Sequence, residues 1–346
     1  MSLEGFDPQG NEEAARLFTL TNIRGSKVTV MDIGATWISC QIAMERGLRE
    51  VLLGCGSLAQ YQRQAAYLGA SIGRYANRIA LGRFSVGEQD YQTTINHGQN
   101  MLHGGIEGYD KRRWRCVEQM TQSVTLALDS QDGDQGFPGN VAVSVTYTLS
   151  DDDSVDITYQ ANTDRATPIN LTNHAYFNLQ GAESGISTID HQLEIAADYY
   201  LPTDEFGIPL GELVPVAGTS FDFRQPKNIS QDLLEDEQQR AVKGYDHSFL
   251  LTGAEGVIRK VATVIAGDRS LAMEVYTDKP AIQFYGGNWL DGTPNRSGGE
   301  YGTYMGFALE TQYLPDSPNH PEWPQSSCIF DENRAYCFHT RYKFSA

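Results

Sequence analysis

Val141-Ala142-Val143-Ser144-Val145-Thr146-Tyr147-Thr148-Leu149, then Asp151-Asp152-Asp153-Ser154, then Val155-Asp156-Ile157-Thr158-Tyr159, decides the fold class. Val141, Val143, Val145, Tyr147 and Leu149 alternate with small or polar residues, the period of a half-buried strand. The acidic run between the two apolar stretches is turn chemistry, so they form a hairpin. Residues 124–128 supply another strand upstream, and similar short runs recur at 28–33, 49–53, 191–195, 261–265 and 271–276. The 34 glycines, 13 prolines and many Asp and Asn residues punctuate them. Helical periodicity is confined to 12–17, 58–64 and 231–242, the last with only Leu233, Leu234 and Val242 as an apolar stripe. The expected fold is all-β: a large, mostly antiparallel β-sandwich with a few short helices. With no linker and no repeat, residues 1–346 read as one continuous domain.

A hydrophobic fraction of 40% with 20% charged residues is ordinary for a globular chain. The formal net charge of -18 repels phosphate backbones and anionic lipid, which argues against nucleic-acid and membrane partners. No apolar run approaches the roughly 20 residues needed to span a bilayer. The first residues lack a basic start and an apolar core, so the expected location is cytoplasmic. Cys40, Cys55, Cys116, Cys328 and Cys337 are dispersed, without a C-x-x-C pair, and read as buried free thiols. Asp132-Gly133-Asp134-Gln135-Gly136 superficially matches a calcium loop, but the twelfth position is Val143 where Glu is needed. Gly104-Gly105 is followed by no Gly-Lys-Ser/Thr, and neither a Gly-x-Ser-x-Gly elbow nor a His-Glu-x-x-His helix occurs. Neither metal nor cofactor is expected.

Chemistry concentrates elsewhere. Along Asn170–Leu179, read as one strand, Asn170, Thr172, His174, Tyr176 and Asn178 share a face, and Leu171, Ala175, Phe177 and Leu179 share the other with Asn173. Five hydrogen-bonding side chains in a row are costly to bury unless something polar meets them, as a sugar would. A histidine among them suggests acid–base chemistry. In Phe307–Gln312, Glu310 shares its face with Ala308 and Gln312, an arrangement suited to lining a cleft beside the proline-rich loop 313–324. Gly73-Arg74-Tyr75-Ala76-Asn77-Arg78-Ile79 carries two arginines four apart, Leu102-His103-Gly104-Gly105 sets a histidine before a flexible turn, and Gly244-Tyr245-Asp246-His247 places a carboxylate after a glycine.

Together with Asp110-Lys111-Arg112-Arg113-Trp114, Asp134-Gln135-Gly136-Phe137-Pro138-Gly139 and Gln283-Phe284-Tyr285, these stretches resemble the aldose 1-epimerase (galactose mutarotase) family, in its order and over nearly the whole chain. The resemblance implies the galactose mutarotase-like supersandwich, a sugar cleft, and interconversion of the α and β anomers of free aldohexoses without metal or cofactor. It implies His174 as general acid and Glu310 as general base, with His103 on the ring-oxygen side. Asn77, Arg78, Tyr176, Asp246 and Gln283 fall where sugar-contacting residues lie, and an aromatic near Tyr176 or Phe284 is expected to stack on the sugar. The partner implied is a small aldose, galactose or glucose, bound by a monomer or weak homodimer. Roughly the first 14 residues and the Gly298-Gly299-Glu300 loop depart from the pattern. The competing readings are a hexose-6-phosphate 1-epimerase, a non-catalytic sugar-binding protein, and a glycosidase or lyase pairing Glu310 with Asp246.

Overall fold

The computed structural model describes Gly5 and residues 14–346. Val141–Leu149 buries its odd-numbered residues and leaves the others half-buried or exposed, as alternation requires. It pairs antiparallel with Ser154–Thr163, from Val141 opposite Thr163 to Leu149 opposite Val155. Between them Asp153 adopts a left-handed φ of 62°, which Asp tolerates well. Its buried carboxylate accepts from Asn22 Nδ2 at 2.8 Å and pairs with Arg24 at 3.0 Å, fastening the turn.

Hydrogen bonding spreads outward from this hairpin. Arg115–Gln119 and Ser123–Ser130 lie on one side; Tyr336–Ser345, Ala272–Thr277, Arg259–Ile265, Gln192–Ile195 and Lys227–Asn228 lie on the other, making a nine-stranded sheet among the described residues. A second sheet runs in the order Tyr176–Phe177, Phe307–Gln312, Ala281–Tyr285, Asp246–Leu251, Ala197–Leu201, Val214–Pro215. The two sheets face each other. Tyr342 of the first packs its ring 5.0 Å from Phe177 of the second and donates its hydroxyl to the Leu309 carbonyl at 2.9 Å. Trp37, from the Thr36–Met44 strand of a four-stranded sheet, packs edge-on to Phe177 and tilted on Tyr342. One apolar cluster includes Phe18, Leu126, Val145, Phe284 and Phe344, so the core is shared by all three sheets. Each of these ladders is antiparallel, and the fold is the expected all-β sandwich.

Helix is scarce, as expected. Ser57 caps the Leu58–Arg63 helix by accepting from Gln60 N, and Leu58 and Tyr61 face inward. The stretch 231–242 is not one helix. A 3₁₀ turn at Ile229–Asp232 ends before Leu234, whose φ is 65°, and Asp236 then caps a separate Glu237–Val242 helix. The helix expected at 12–17 falls partly outside the described residues, and its far end, Leu17, instead opens the Leu17–Thr21 strand. The thiols are all free, but Cys337 is exposed and Cys116 half-buried, so only Cys40, Cys55 and Cys328 fit the expected buried class.

The Asn170–Leu179 stretch also differs from its reading as a single strand. Thr172–Asn173 pairs with Ser71–Ile72, whereas Tyr176–Phe177 pairs with Phe307–Gln312. The chain changes partners at His174-Ala175, and both of its faces are buried. Asn170 and Asn178 bond to the protein itself: Asn170 Nδ2 donates to the Ala76 carbonyl at 3.2 Å, and Asn178 Nδ2 to Ile186 and Met305 at 2.7 and 3.0 Å. Of the five polar side chains, only His174 and Tyr176 line a cleft.

Candidate active site

Register in the second sheet builds the cleft floor. Directly opposed residues of antiparallel strands share a face. Tyr176 and Tyr285 both oppose Ala308, Gln283 opposes Glu310, and Asp246 opposes Tyr285. The face turned to the core holds Phe177, Phe284, Phe307 and Leu309. Phe284 therefore packs edge-on against Phe223, 5.6 Å away in the core, and is not the aromatic that meets a ligand. Tyr285, its neighbour on the cleft face, lines the cleft.

The cleft has a volume of about 710 Å³, room for a hexose with space to spare. His174, Glu310, His103, Asn77, Arg78, Tyr176 and Asp246 all line it. Gln283 does not. It stands beside Asp246, donating Nε2–H to Oδ1 at 2.7 Å while the Ser248 hydroxyl donates to its Oε1. Its contact is with the carboxylate, which it orients.

His174 Nε2 lies 3.5 Å from Glu310 Oε1, with both residues almost wholly buried. The imidazole is stacked between Tyr176 at 4.9 Å and Tyr67 at 6.0 Å, edge-on to His103 at 5.2 Å. Such ring contacts contribute about 0.5–1.5 kcal/mol each and hold the ring's orientation. Burial pulls the His174 imidazole down to about 4. Burial, then the Asp246 carboxylate, pushes Glu310 well above its ordinary value, with Arg78 and Lys279 opposing. Burial thus disfavours the charged form of each group. His174 Nδ1, Glu310 Oε2 and Arg78 Nε are buried without a hydrogen-bond partner among the described residues. Orphaned polar atoms of this kind are rare in cores and mark a place built for a polar ligand.

His103 sits at φ 51°, in a turn closed by Gly104 at φ 87°. A Cβ on Gly104 would come within 2.0 Å of the Gly73 carbonyl oxygen, so only glycine allows this approach. Asn77 N–H donates to His103 Nδ1 at 3.2 Å, which leaves the neutral ring's proton on Nε2. Burial, then His174, Arg78 and His97, keep His103 well below the usual imidazole range, which favours the neutral ring. Asn77, at φ 64°, accepts from the Arg78 backbone and guanidinium at 3.0 and 3.3 Å and so aims that side chain. Gly207 makes room beside it, since a Cβ there would come within 2.6 Å of the guanidinium carbon. Of the paired arginines, Arg74 is structural: its guanidinium donates to Pro138, Gly139 and the Ser130 hydroxyl in the core.

Sequence reading missed Tyr67, His97, Tyr285, Trp289 and Asp291, which also line the cleft. Period-two extension from Gln283 points to Tyr285, but no pattern marks the others, which come from turns. Tyr67 is the most informative of them. A tyrosine at φ 55° is strained, and here that conformation sets its ring over both imidazoles.

A buried imidazole and carboxyl group 3.5 Å apart at the floor of a polar cleft in a β-sandwich are the kind of groups with which an enzyme moves protons on a small substrate. The family is given by comparison. Residues 16–343 match the family model described as aldose 1-epimerase. The chain is 53% identical to aldose 1-epimerase of Escherichia coli over 96% of its length and 95% of that protein's. It is 40% identical to galactose mutarotase of Bos taurus over 92% of this chain and 91% of that one. The crystal structure of an aldose epimerase homologue from C. elegans superposes with a TM-score of 0.87 at 27% identity, covering 96% of this chain and 99% of that one. This chain belongs to the aldose 1-epimerase family.

Proposed function

We propose that the protein interconverts the α and β anomers of free aldohexoses, galactose and glucose foremost, with Glu310 as base and His174 as acid. The observation that carries this reading is the buried imidazole and carboxyl group 3.5 Å apart on the cleft floor. Opening a pyranose takes one proton from the C1 hydroxyl and gives one to the ring oxygen. Glu310 accepts the first and His174 donates the second in the same step, so no free alkoxide forms. The product state holds neutral imidazole and carboxylic acid, the forms that burial favours. Rotation about C1–C2 presents the other aldehyde face, and reversing both transfers closes the ring and restores the pair. Before opening, sugar hydroxyls and the Arg78 guanidinium offset the desolvation of the charged forms. His103 Nε2–H supports the ring-oxygen side. Asp246, Asn77 and Arg78 hold hydroxyls and leave C1 free to turn.

A phosphorylated hexose is a poorer fit. In the dense basic run Lys111-Arg112-Arg113, Arg112 is spent on Asp134 at 2.5 Å and Arg113 on Asp32 at 2.5 Å, and none of the three lines the cleft. Polarimetry on fresh α-D-galactose tests the proposal. Wild type accelerates the drift to equilibrium rotation, and Glu310→Gln, which keeps the cleft's shape, loses about 10²–10⁴-fold in kcat. Near-normal turnover by that variant rules out Glu310 as the base, and faster turnover of glucose 6-phosphate than of galactose reverses the substrate assignment.

A further inference from the structure

Lys279 is 1% exposed and lies on the core side of the cleft floor, just before the Ala281–Tyr285 strand. Its ammonium hydrogen bonds go to backbone carbonyls, Leu171 and, at 3.2 Å, Thr311. The rings of Tyr159, Tyr336 and Phe338 stand 5.7, 5.8 and 6.0 Å away. A buried ammonium without a carboxylate to bond is costly, and a methionine would fill the same space at no such cost. Its two carbonyl partners are informative. Leu171 precedes His174 on one segment, and Thr311 directly follows Glu310 on another.

We infer that Lys279 is a positioning residue for anomer interconversion: its ammonium ties the segment carrying His174 to the strand carrying Glu310, and its charge favours the carboxylate form of Glu310 from behind. The inference rests on the acid–base roles proposed above. Burial lowers Lys279 to about 7, opposed by Asp278 and then Glu310, and Lys279 in turn is among the groups that lower Glu310. The other groups facing the pair are accounted for. On the core side Asp278 is engaged by His339 Nδ1 at 2.9 Å, and Tyr159, Tyr336 and Tyr342 are neutral phenols held there by burial. On the cleft side stand Asp246, Arg78, His174 and Tyr176. Lys279 is the cation beneath Glu310, and Arg78 is the one beside it.

The test is Lys279→Met, read as kcat and KM across pH. Loss of the ammonium lets Glu310 hold its proton to higher pH, so the acid limb of kcat moves up by about one pH unit. On this reading kcat near neutrality falls roughly 10-fold while KM stays within about 3-fold. A purely structural lysine lowers the yield of folded enzyme and leaves the limb where it was; an unmoved limb overturns the inference. Should the variant not fold, the Lys279 Cε resonance of the intact protein is followed by carbon NMR against pH, in wild type and in Glu310→Gln. A lower titration midpoint in Glu310→Gln supports the coupling, and equal midpoints sink it. The two claims fail separately: wild type that does not speed anomer exchange defeats the proposed function, whereas active wild type with an unmoved limb defeats only the role of Lys279.

Discussion

The Val141–Leu149 and Phe307–Gln312 strands belong to facing sheets and are built on opposite plans. The first alternates buried residues with partly or fully exposed ones, whereas every residue of the second is buried. In the first, one face meets the core and the other meets water, so apolar and polar residues divide cleanly. In the second, Phe307 and Leu309 meet the same core, but Glu310, itself buried, faces the cleft. His174 and Glu310 are therefore placed where desolvation shifts both groups. The proposed base, Glu310, thus lies on a strand buried on both faces, away from the half-exposed strand.

Substitutions in the two sheets break or sharpen that contrast. The largest effect is expected from His174→Asn, which keeps a polar group of similar size but cannot donate an ionisable proton. It lowers kcat about 10²–10⁴-fold in polarimetry while the urea midpoint moves little. Leu126→Ala, in the nine-stranded sheet, does the reverse. Unfolding free energy falls by about 2–5 kcal/mol in urea titration, with kcat unchanged. A comparable loss of kcat from Leu126→Ala would erase the distinction between the sheets.

Acid titration gives an intermediate effect. The folded His174 is held near 4 against 6.5 for the free side chain, so its contribution to stability is complete above 6.5 and is lost as pH falls toward 4. Glu310 is shifted upward, so its contribution has the opposite sign, present below 4.5 and lost as pH rises. His191, near 4, and His247, near 3, act with His174. Denaturation curves for His174→Asn should therefore show a loss between pH 6.5 and 4 smaller than wild type by up to about 3 kcal/mol. Curves that superpose would mean that the folded His174 titrates at its free value.

Gln283→Leu sharpens the smallest contact. It leaves Asp246 short of one donor at 2.7 Å, and the expected result is KM raised about 10-fold, one charged hydrogen bond, with kcat within a factor of about three. A kcat loss like that of His174→Asn would place Gln283 at the reacting atoms instead.

Legibility followed the same division between sheets. The hairpin at 141–159 could be read residue by residue, because a strand with one wet face writes its geometry into composition. The Asn170–Leu179 stretch misled at its ends, because the same alternation is produced by a strand facing a sugar and by a segment whose polar groups bond to neighbouring carbonyls. His174 and Glu310 were recognisable as polar groups among apolar neighbours, and family resemblance carried their roles. Tyr67, Trp289 and His97 carried no signal, since each is brought to the cleft by a turn.

From local sequence alone came the strands, their inward faces, the scarcity of helix and the types of group available for catalysis. All of these follow from the period of the backbone and the chemistry of side chains. The tertiary structure decided which polar residues meet in one cleft, which are spent on structure, and which charges are favoured there. Desolvation and long-range register depend on what lies across the fold, and no window of sequence contains that.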